Sequence, residues 1–318
     1  MPDSARWALM DLRAPPCERY QQMPAPTPRL TPLRSILIFP AHIPKFAEKA
    51  PSSGADAICL DLEDAVPLDE KDNARRFAAS LVDPQRTVPL LARVNAVQTG
   101  LAEQDLVSVA RDGLDGIVLP KADSPAVVQR VDHYLTILEH ERRLQPARIA
   151  ILPLIETPAG ILAAERILSA SPRVSAALLG GEDLATDLGA QRTPGGVEIA
   201  WARARFVVSC HAAGVIPIDT PETSLNDPAR LESQAALARS LGYQGKLCIH
   251  PSQVPVVNQT FAPTEAEINE ARTLVQTFER EALATGRAAV QIRGKMVDTP
   301  IYQRARRLLD WAETLRHE

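Results

Sequence analysis

Charged and polar residues stand directly after short apolar segments along most of this chain. They are Glu63, Asp64, Arg93, Asn95, Lys121, Glu156, Glu182, Asp183, Asp219 and His250. If the apolar segments are parallel β-strands, their carboxyl ends share one edge or one mouth, and these side chains meet there. Any one of them could be an ordinary loop residue, but ionisable groups at so many strand ends indicate a catalytic or binding site.

Glu156 and Asp183 are the residues best suited to hold a metal ion. They follow consecutive apolar segments, and neighbouring strands lie ~4.8 Å apart. Two carboxylates so placed repel each other unless they share a proton or a cation. Oxygen ligands without a nearby His or Cys favour a hard cation, Mg²⁺ before Mn²⁺, with water completing the octahedron. Glu63 and Asp64 are placed to accept hydrogen bonds from those waters.

Arg93, Gly181 and Glu182 are interpreted as substrate-binding residues. A fixed guanidinium holds a carboxylate or stabilises an enolate oxygen, and the alternative for Arg93 is a salt bridge that braces the rim. Gly180 and Gly181 let backbone N–H groups approach a carboxylate closely, but they could equally serve the chain conformation alone. A further alternative is that Arg93 or Lys121 pairs with one of the two carboxylates and that no metal binds.

Eight apolar segments must position these residues, and helix-like stretches separate them. Their hydrophobicity is continuous rather than alternating, as expected for parallel strands that are covered on both faces. The segments are 35–40, 57–62, 89–94, 116–120, 150–155, 176–180, 214–218 and 245–249. Eight β/α repeats predict an α/β protein with a (β/α)8 TIM barrel. An open doubly wound sheet is the alternative, but neither GxGxxG nor GxxxxGK[ST] is present to support it.

The barrel is predicted over residues 34–260, with a segment on either side. Residues 1–33 form a proline-rich N-terminal extension, and residues 261–318 form a C-terminal helical lid segment. In that segment Thr264-Glu265-Ala266-Glu267 is a capping box that begins one helix, and a final helix is expected over 301–316. The six main helices between the strands are expected at 71–81, 105–111, 126–144, 160–168, 199–213 and 228–241.

Composition excludes several classes of function. The net charge is −4 and aromatic residues make up 4% of the chain, so neither a basic patch nor a stacking platform for nucleic acid is present. No apolar run reaches the ~18 residues that span a bilayer. The four cysteines lack CxxC spacing, which argues against a zinc site or disulfides and fits a cytoplasmic protein.

Several motifs together resemble one family over nearly all of residues 34–318. They are RSILIFP (34–40), GADAICLDLEDAVP (54–67), ARVN (92–95), VLPKAD (118–123), PLIETPAG (153–160), GGEDLATDLG (180–189), PIDTP (217–221) and GKLCIHPSQV (245–254). The sequence resembles the HpcH/HpaI aldolase and citrate lyase β-subunit (CitE-like) family. That resemblance implies a Mg²⁺-dependent TIM barrel, commonly trimeric, that acts on CoA or acyl-carrier thioesters.

The same resemblance assigns roles to the site residues. It implies that Glu156 and Asp183 ligate the metal, that Glu63 and Asp64 support it through water, and that Arg93 contacts the substrate.

The C-terminal segment narrows the comparison within the family. GKMVDTP (294–300) resembles the motif of malyl-CoA, β-methylmalyl-CoA and citramalyl-CoA lyases, in which the aspartate, here Asp298, enters a neighbouring subunit's site as the catalytic acid/base. FPAH (39–42) departs from the family pattern and weakens inference about CoA contacts there. Lys45 is a candidate for the CoA phosphates, and His250 for the pantetheine arm or the support of the rim.

The expected function is a Mg²⁺-dependent carbon–carbon lyase in a homo-oligomer, a trimer or a multiple of it. Its substrate would be a 3-hydroxy-3-carboxyacyl-CoA, such as malyl-, β-methylmalyl- or citramalyl-CoA, cleaved to or formed from acetyl- or propionyl-CoA and a 2-oxo acid. The alternatives are a malyl-CoA thioesterase or malate-synthase-like enzyme, an aldolase on free 2-oxo acids, a citrate lyase β-like subunit of a complex, and a non-catalytic assembly subunit. Sequence alone does not choose the acyl-CoA, its stereochemistry or the direction of reaction.

Overall fold

The structure, a computed structural model, describes residues 30, 32–285, 289–292 and 295–316. Most of the proline-rich extension predicted for residues 1–33 lies outside the described residues. The described chain forms two compact units that divide between Phe261 and Ala262. Within the described ranges, no helix combines the length and the apolarity that crossing a bilayer requires.

The first unit is a closed barrel of parallel strands. The strands are β1 Ser35–Pro40, β2 Ala57–Asp61, β3 Leu90–Arg93, β4 Gly116–Leu119, β5 Ala150–Ile155, β6 Ala176–Leu179, β7 Ile216–Asp219 and β8 Gly245–Cys248. Each pairs with its neighbour in chain order, and β8 returns to β1 with Lys246 opposite Ser35. The predicted (β/α)8 barrel is confirmed, and the open sheet is excluded because the first and last strands pair.

Alternate residues of each strand face the barrel interior and the helices. On β1, Ile36 and Ile38 belong to the interior cluster, whereas Leu37 and Phe39 pack in the layer between strands and helices. This is the two-residue period of an extended strand. Both layers are apolar, which explains why the strands appear in the sequence as continuous apolar runs.

Barrel packing begins before residue 34, where the sequence predicts the extension to end. Leu30 and Leu33 are 0% and 1% exposed and belong to the interior cluster with Ile36. The backbone of Leu33 passes so close to β8 that a Cβ on Gly245 would lie 1.9 Å from the Leu33 carbonyl oxygen. Only glycine fits at that point of the strand.

Helices follow the strands along the chain, and most of them cover the outside of the barrel, whereas the short helix Gly181–Asp187 stands at the mouth. They are α1 Pro44–Lys49, α2 Lys71–Leu81, α3 Ala102–Val109, α4 Pro125–Glu141, α5 Pro158–Leu168, α6 Gly181–Asp187, α7 Ala200–Ala213, α8 Pro228–Leu241 and α9 Val254–Phe261. Proline in the first turn and a polar cap start several of them. Thr157 Oγ1 accepts from Gly160 N before α5, and Asp227 Oδ1 accepts from Arg230 N before α8.

The second unit contains helix α10 Glu265–Thr285, strands β9 Ala289–Ile292 and β10 Lys295–Asp298, and helix α11 Thr299–Thr314. The predicted capping box is confirmed, since Thr264 N donates to Glu267 Oε2 at 2.7 Å and Glu267 N donates to Thr264 Oγ1 at 3.2 Å. Between the two helices, Phe278 and Tyr302 stack with ring centroids 4.9 Å apart. The antiparallel pair β9 and β10 is not predicted from the sequence.

Candidate active site

Arg93 is locked in place by Asp61 at the mouth of the barrel, the end where the strands have their carboxyl termini. The two residues are direct partners across β2 and β3, and they continue the interior rows that contain Cys59 and Leu91. Arg93 Nε donates to Asp61 Oδ1 at 2.7 Å, and Arg93 Nη2 donates to Oδ2 at 2.6 Å. Burial disfavours the charged guanidinium, but the hydrogen bonds and charge of Asp61 raise the pKa of Arg93 above its ordinary value. The guanidinium is therefore charged and oriented before a ligand binds.

Asp61 is a site residue that sequence reasoning misses. It lies inside an apolar segment (57–62), so the sequence pattern places it in the strand rather than at the mouth. Its carboxylate also accepts the N–H groups of Glu63 and Ala65, at 2.9 and 3.1 Å, and so shapes the loop after β2. The signal that could have found it is the two-residue alternation, which puts Asp61 on the interior face at the level of Arg93.

Glu63 lies buried beside Arg93 with an unsatisfied oxygen. Glu63 is 5% exposed, and its Oε2 lies 3.3 Å from Arg93 Nη1 without making a hydrogen bond. Burial raises the pKa of Glu63 to about 8; Arg93 lowers it, while Asp64, Glu156 and Asp61 raise it further. Asp64 itself is exposed. Glu63 therefore holds a proton at neutral pH unless a cation favours its ionised form.

Glu156 is held against the backbone at the ends of β5 and β6. It is 4% exposed, and its Oε1 accepts the N–H of Lys121 at 2.8 Å. A Cβ on Gly180 would lie 2.4 Å from Glu156 Cβ and 2.6 Å from Oε2, so the side chain occupies space that only a glycine leaves. Burial raises the pKa of Glu156 to about 7; the Lys121 N–H lowers it and the charge of Asp183 raises it.

Asp183 stands on the first turn of α6, the short helix that follows Gly180. Its side chain is 41% exposed, and its Oδ2 lies 3.6 Å from the Nζ of Lys121, which is 45% exposed. This contact is the pairing that the sequence left as an alternative to a metal. An ion pair so exposed contributes only about 0–1 kcal/mol, so Lys121 does not permanently fill the space beside Asp183.

Glu156 and Asp183 fit a hard divalent cation. Both donate oxygen, and Glu156 carries a raised pKa in part because Asp183 is close enough to repel its charge. The described part of the chain holds no cluster of three or more His, Cys, Asp or Glu side chains suited to a metal. Two carboxylates are nevertheless sufficient for Mg²⁺, which usually keeps several waters and binds through one or two carboxylates.

In the predicted carboxylate nest at Gly180 and Gly181, one backbone N–H group already has a partner within the protein. The N–H of Gly181 donates to Thr220 Oγ1 at 2.9 Å, so it is not available to a substrate carboxylate. A Cβ on Gly181 would lie 2.7 Å from the same oxygen, which makes close packing the reason for this glycine. The Glu182 carboxylate accepts from Arg192 Nε at 2.8 Å and is held by that loop residue.

Lys71 and Asn95 support the segment that carries Glu63. Lys71 Nζ donates at 2.7 Å to the carbonyls of Leu62 and Glu63 and to Asn95 Oδ1. Asn95 is in turn held by Asp105, whose carboxylate accepts from both its backbone N and Nδ2. Sequence reasoning places Asn95 at the mouth but misses Lys71, because a lysine at the start of a helix gives no signal of its own.

The chain is similar to proteins of one known family over most of its length. A family model described as HpcH/HpaI aldolase/citrate lyase matches residues 34–251. The chain belongs to this family. The citrate lyase subunit beta-like protein of Deinococcus radiodurans is 39% identical over 283 residues, which cover 87% of this chain and 96% of that protein. The L-malyl-CoA/beta-methylmalyl-CoA lyase of Rhodobacter capsulatus is 33% identical over 317 residues, which cover 92% of this chain and 97% of that protein.

One solved structure is similar to most of this chain. CitE from Mycobacterium tuberculosis, in complex with magnesium, acetoacetate and coenzyme A, has a TM-score of 0.72 and 30% identity, covering 88% of this chain and 98% of that chain. The predicted family is confirmed. The prediction of a lyase is confirmed at the level of the family, because the relatives are named as lyases. The predicted magnesium is confirmed as a family cofactor by its presence in that complex.

Among the described residues, cavities open at the mouth of the barrel in this chain, and two of them contain predicted site residues. The first, about 260 Å³, lies at the ends of β1 and β8 and is lined by Leu37, Ile38, Phe39, Pro40, Lys45, Phe46, Lys49, Ile249, His250 and Pro251. The second, about 500 Å³, lies between the loops after β2, β3, β4 and β5, and its lining includes Glu63, Asp64, Lys71, Asn95 and Lys121. The predicted residues Lys45 and His250 thus line one cavity, while Glu63 and Asp64 line the other.

Two predicted residues are not among the carboxylates at the mouth: Asp219 faces the helices, and Asp298 belongs to the second unit. Asp219 is 0% exposed and is bonded by Arg203 and Lys246, so its expected place at the mouth is wrong. Asp298 ends β10, and its Oδ1 accepts from Ile301 N at 3.3 Å as the cap of α11. Its role as an acid/base stays a prediction.

Proposed function

We propose that this protein is a Mg²⁺-dependent carbon–carbon lyase acting on a 3-hydroxy-3-carboxyacyl-CoA, such as malyl-, β-methylmalyl- or citramalyl-CoA. The products would be acetyl- or propionyl-CoA and a 2-oxo acid. The observation that carries the proposal is that one residue, Lys121, contacts both carboxylates: its N–H donates to Glu156 Oε1 at 2.8 Å, and its Nζ lies 3.6 Å from Asp183 Oδ2. The relative named as a malyl-CoA lyase and the complex of CitE with magnesium and coenzyme A support the substrate class.

Glu156 and Asp183 would hold the metal, and Glu63 and Asp64 would accept hydrogen bonds from its waters. When bound, Mg²⁺ supplies a Lewis acid that orients the substrate's hydroxyl and carboxylate and favours the developing carbonyl. The ionised forms of Glu63 and Glu156 are then favoured, because a nearby cation opposes the rise in pKa that burial causes.

Arg93 would stabilise the negative charge that develops on the thioester oxygen as the carbon–carbon bond breaks. Asp61 occupies Nε and Nη2. Nη1 lies 3.3 Å from Glu63 Oε2 but makes no hydrogen bond to it, so we assign Nη1 to the substrate oxygen. A guanidinium that is already oriented needs no reorganisation during the reaction, and this is where fixed donors gain most of their effect. Asp61 thus acts through Arg93 rather than on the substrate.

Asp298 would exchange a proton with the α-carbon of acetyl- or propionyl-CoA. We place it in the site of a neighbouring subunit, so the proposal includes a homo-oligomer.

The cavity at β1 and β8 is the proposed place for the CoA part of the substrate. Lys45 and Lys49 both line it, and their ammonium groups suit phosphates. Phe46 and Ile249, 43% and 38% exposed, give the same cavity an apolar surface for the pantetheine chain. His250, two residues after the end of β8, also lines this cavity.

Turnover of defined CoA esters tests the proposal. Malyl-, β-methylmalyl- and citramalyl-CoA should each be incubated with Mg²⁺ or with EDTA, and both the 2-oxo acid and the acyl-CoA product measured. Asp183→Asn should lose the Mg²⁺-dependent reaction, whereas Asp187→Asn, one turn later on the same helix and exposed, should keep it. Turnover that is unchanged in EDTA, or release of free CoA without a 2-oxo acid, would contradict a metal-dependent lyase, and the second result would indicate a thioesterase.

Citryl thioesters define a second candidate substrate. The relative from Deinococcus radiodurans is named as citrate lyase subunit beta-like, and a β-like subunit of a complex would cleave citryl-CoA to oxaloacetate and an acetyl thioester. Citryl-CoA therefore belongs in the same screen. Cleavage of citryl-CoA, with none of the three other esters turned over, would replace the first candidate by the second.

A further inference from the structure

The start of α6 is anchored from behind by Thr220. Gly181 donates its N–H to Thr220 Oγ1 at 2.9 Å, and a Cβ on Gly181 would lie 2.7 Å from that oxygen and 3.1 Å from Thr220 Cγ2. Thr220 is 3% exposed. Because Gly181 stands two residues before Asp183, the hydroxyl of Thr220 fixes the backbone from which Asp183 projects.

Thr220 is itself held by a buried lysine. Lys246 Nζ donates at 2.6 Å to the carbonyl of Thr220 and at 2.6 Å to Asp219 Oδ2. Lys246 and Asp219 face the helices, since their neighbours Leu247 and Ile218 belong to the barrel interior and strands alternate. The carbonyl of Thr220 is thus fixed by a charge on the outer side of the strands.

A third charged residue completes this network from α7. Arg203 Nε donates to Asp219 Oδ1 at 3.1 Å, and Nη2 donates to Oδ2 at 2.9 Å. Arg203, Asp219 and Lys246 are 2%, 0% and 1% exposed. Burying charged groups costs more desolvation than an apolar cluster of the same shape, so stability alone is a weak reason for this network. A requirement to hold Thr220 in one fixed position explains the network of Arg203, Asp219 and Lys246 better.

Asp183 needs such an anchor more than Glu156 does. Glu156 is buried, accepts a hydrogen bond from Lys121 N, and packs against Gly180. The Asp183 side chain is 41% exposed, and its contact in the described residues is the 3.6 Å pairing with Lys121. What sets its position is therefore the backbone of α6, and the anchor of that backbone is Thr220.

We infer that Thr220, braced by Lys246 and Asp219, is a positioning residue that fixes Asp183 for divalent-cation binding. This rests on the proposed function, in which Asp183 is a metal ligand. Residues that orient metal ligands without touching the metal commonly cost 10–100-fold in metal affinity when altered. Loss of the Thr220 hydroxyl should therefore weaken cation binding about tenfold in the absence of any substrate.

Mn²⁺ binding to the full chain tests this directly. Free Mn²⁺ is counted by its electron paramagnetic resonance signal in titrations of wild type, Thr220→Val and Thr220→Ser. Valine keeps the shape of threonine and removes the acceptor for Gly181 N, whereas serine keeps the hydroxyl. Thr260→Val is the matched control, because Thr260 Oγ1 bonds within its own helix, to Val256 O at 2.8 Å. Thr220→Ala replaces the valine variant if that variant does not fold by circular dichroism.

The expected result is a Kd for Mn²⁺ about tenfold higher in Thr220→Val, with Thr220→Ser and Thr260→Val within about twofold of wild type. A wild-type Kd in Thr220→Val overturns the inference, and so does equal weakening in all three variants, which would reflect a general loss of stability. If the wild-type protein binds neither Mn²⁺ nor Mg²⁺, the metal site of the proposed function fails, and the inference falls with it.

Discussion

Replacing Glu63 by Gln should stabilise the metal-free protein at alkaline pH and change it little at acid pH. Burial raises the pKa of Glu63 to about 8, from an ordinary value of 4.5. Between those values the folded state binds more protons than the unfolded state, so the free energy of unfolding falls as pH rises. The contribution of protonated Glu63 is complete below pH 4.5 and is lost as pH passes about 8. Glutamine resembles the protonated form at every pH and removes this loss.

The size of the effect follows from the shift. Each pH unit corresponds to about 1.4 kcal/mol, so a shift from 4.5 to about 8 sets a ceiling of about 5 kcal/mol. Glu63 lines a cavity of about 500 Å³, and water entering it screens the ionised carboxylate. We therefore expect the variant to gain about 2 kcal/mol at pH 9 and less than about 0.5 kcal/mol at pH 4.5.

Urea denaturation in EDTA at several pH values measures the difference. Glu165→Gln is the matched control, since Glu165 is exposed on α5 and its replacement should leave the pH dependence unchanged. Saturating Mg²⁺ should reduce the advantage of Glu63→Gln, because a cation at the mouth favours the ionised glutamate. An advantage that is equal at pH 4.5 and pH 9, or one that shrinks as pH rises, would refute the assignment of a raised pKa to Glu63.

Three further predictions address the metal site, the acid/base and the cysteines. Gly180→Ala should raise the Kd for Mg²⁺ at least about tenfold by calorimetry, because the new methyl would lie 2.4 Å from Glu156 Cβ; unchanged affinity would contradict the placement of Glu156. Asp298→Ala should lower kcat about 10²–10⁴-fold while leaving the Kd for Mg²⁺ as in wild type, and near-normal turnover would reject the role. Burial raises the pKa of Cys248 to about 12, and Cys59 and Cys210 are also buried. At most one of the four cysteines should therefore react with a thiol reagent at pH 8 before unfolding, and rapid reaction of two or more would contradict this burial.

The barrel was predictable because each strand is covered on two sides. Packing against the interior and the helices makes the strands continuous apolar runs, and the predicted ranges for β1 and β5 coincide with the observed ones. Helix α6 was missed because it has only seven residues and begins with glycine and two acidic residues, a poor local signal for a helix. Its position depends on Thr220, which lies far away in the sequence.

A site residue was predictable only where its position after a strand is enough to identify it, without knowledge of its neighbours in space. Glu156 follows a strand and can be recognised as a mouth carboxylate from its place in the chain. The pairing of Arg93 with Asp61 needs the register between β2 and β3, and a one-residue shift of either strand would turn its side chain to the other face, away from its partner. The same limit explains Asp219, which directly follows an interior-facing residue and so points to the helices rather than to the mouth.

The charges at the mouth give an independent reason to expect a divalent ion. Asp61 and Arg93 neutralise each other through two hydrogen bonds, and Lys71 directs its ammonium to two carbonyls and Asn95. The remaining carboxylates are those of Glu63, Glu156, Asp183 and the exposed Asp64, and all four act on the charge of Lys121. The half-exposed ammonium of Lys121 offsets one negative charge. Without a metal, burial raises the pKa of Glu156 to about 7 and that of Glu63 to about 8. Protons bound to these two carboxylates then neutralise much of the remaining negative charge. An ion of charge +2 does so without protonation and leaves the carboxylates as ligands, and cation binding should accordingly release protons at pH 7.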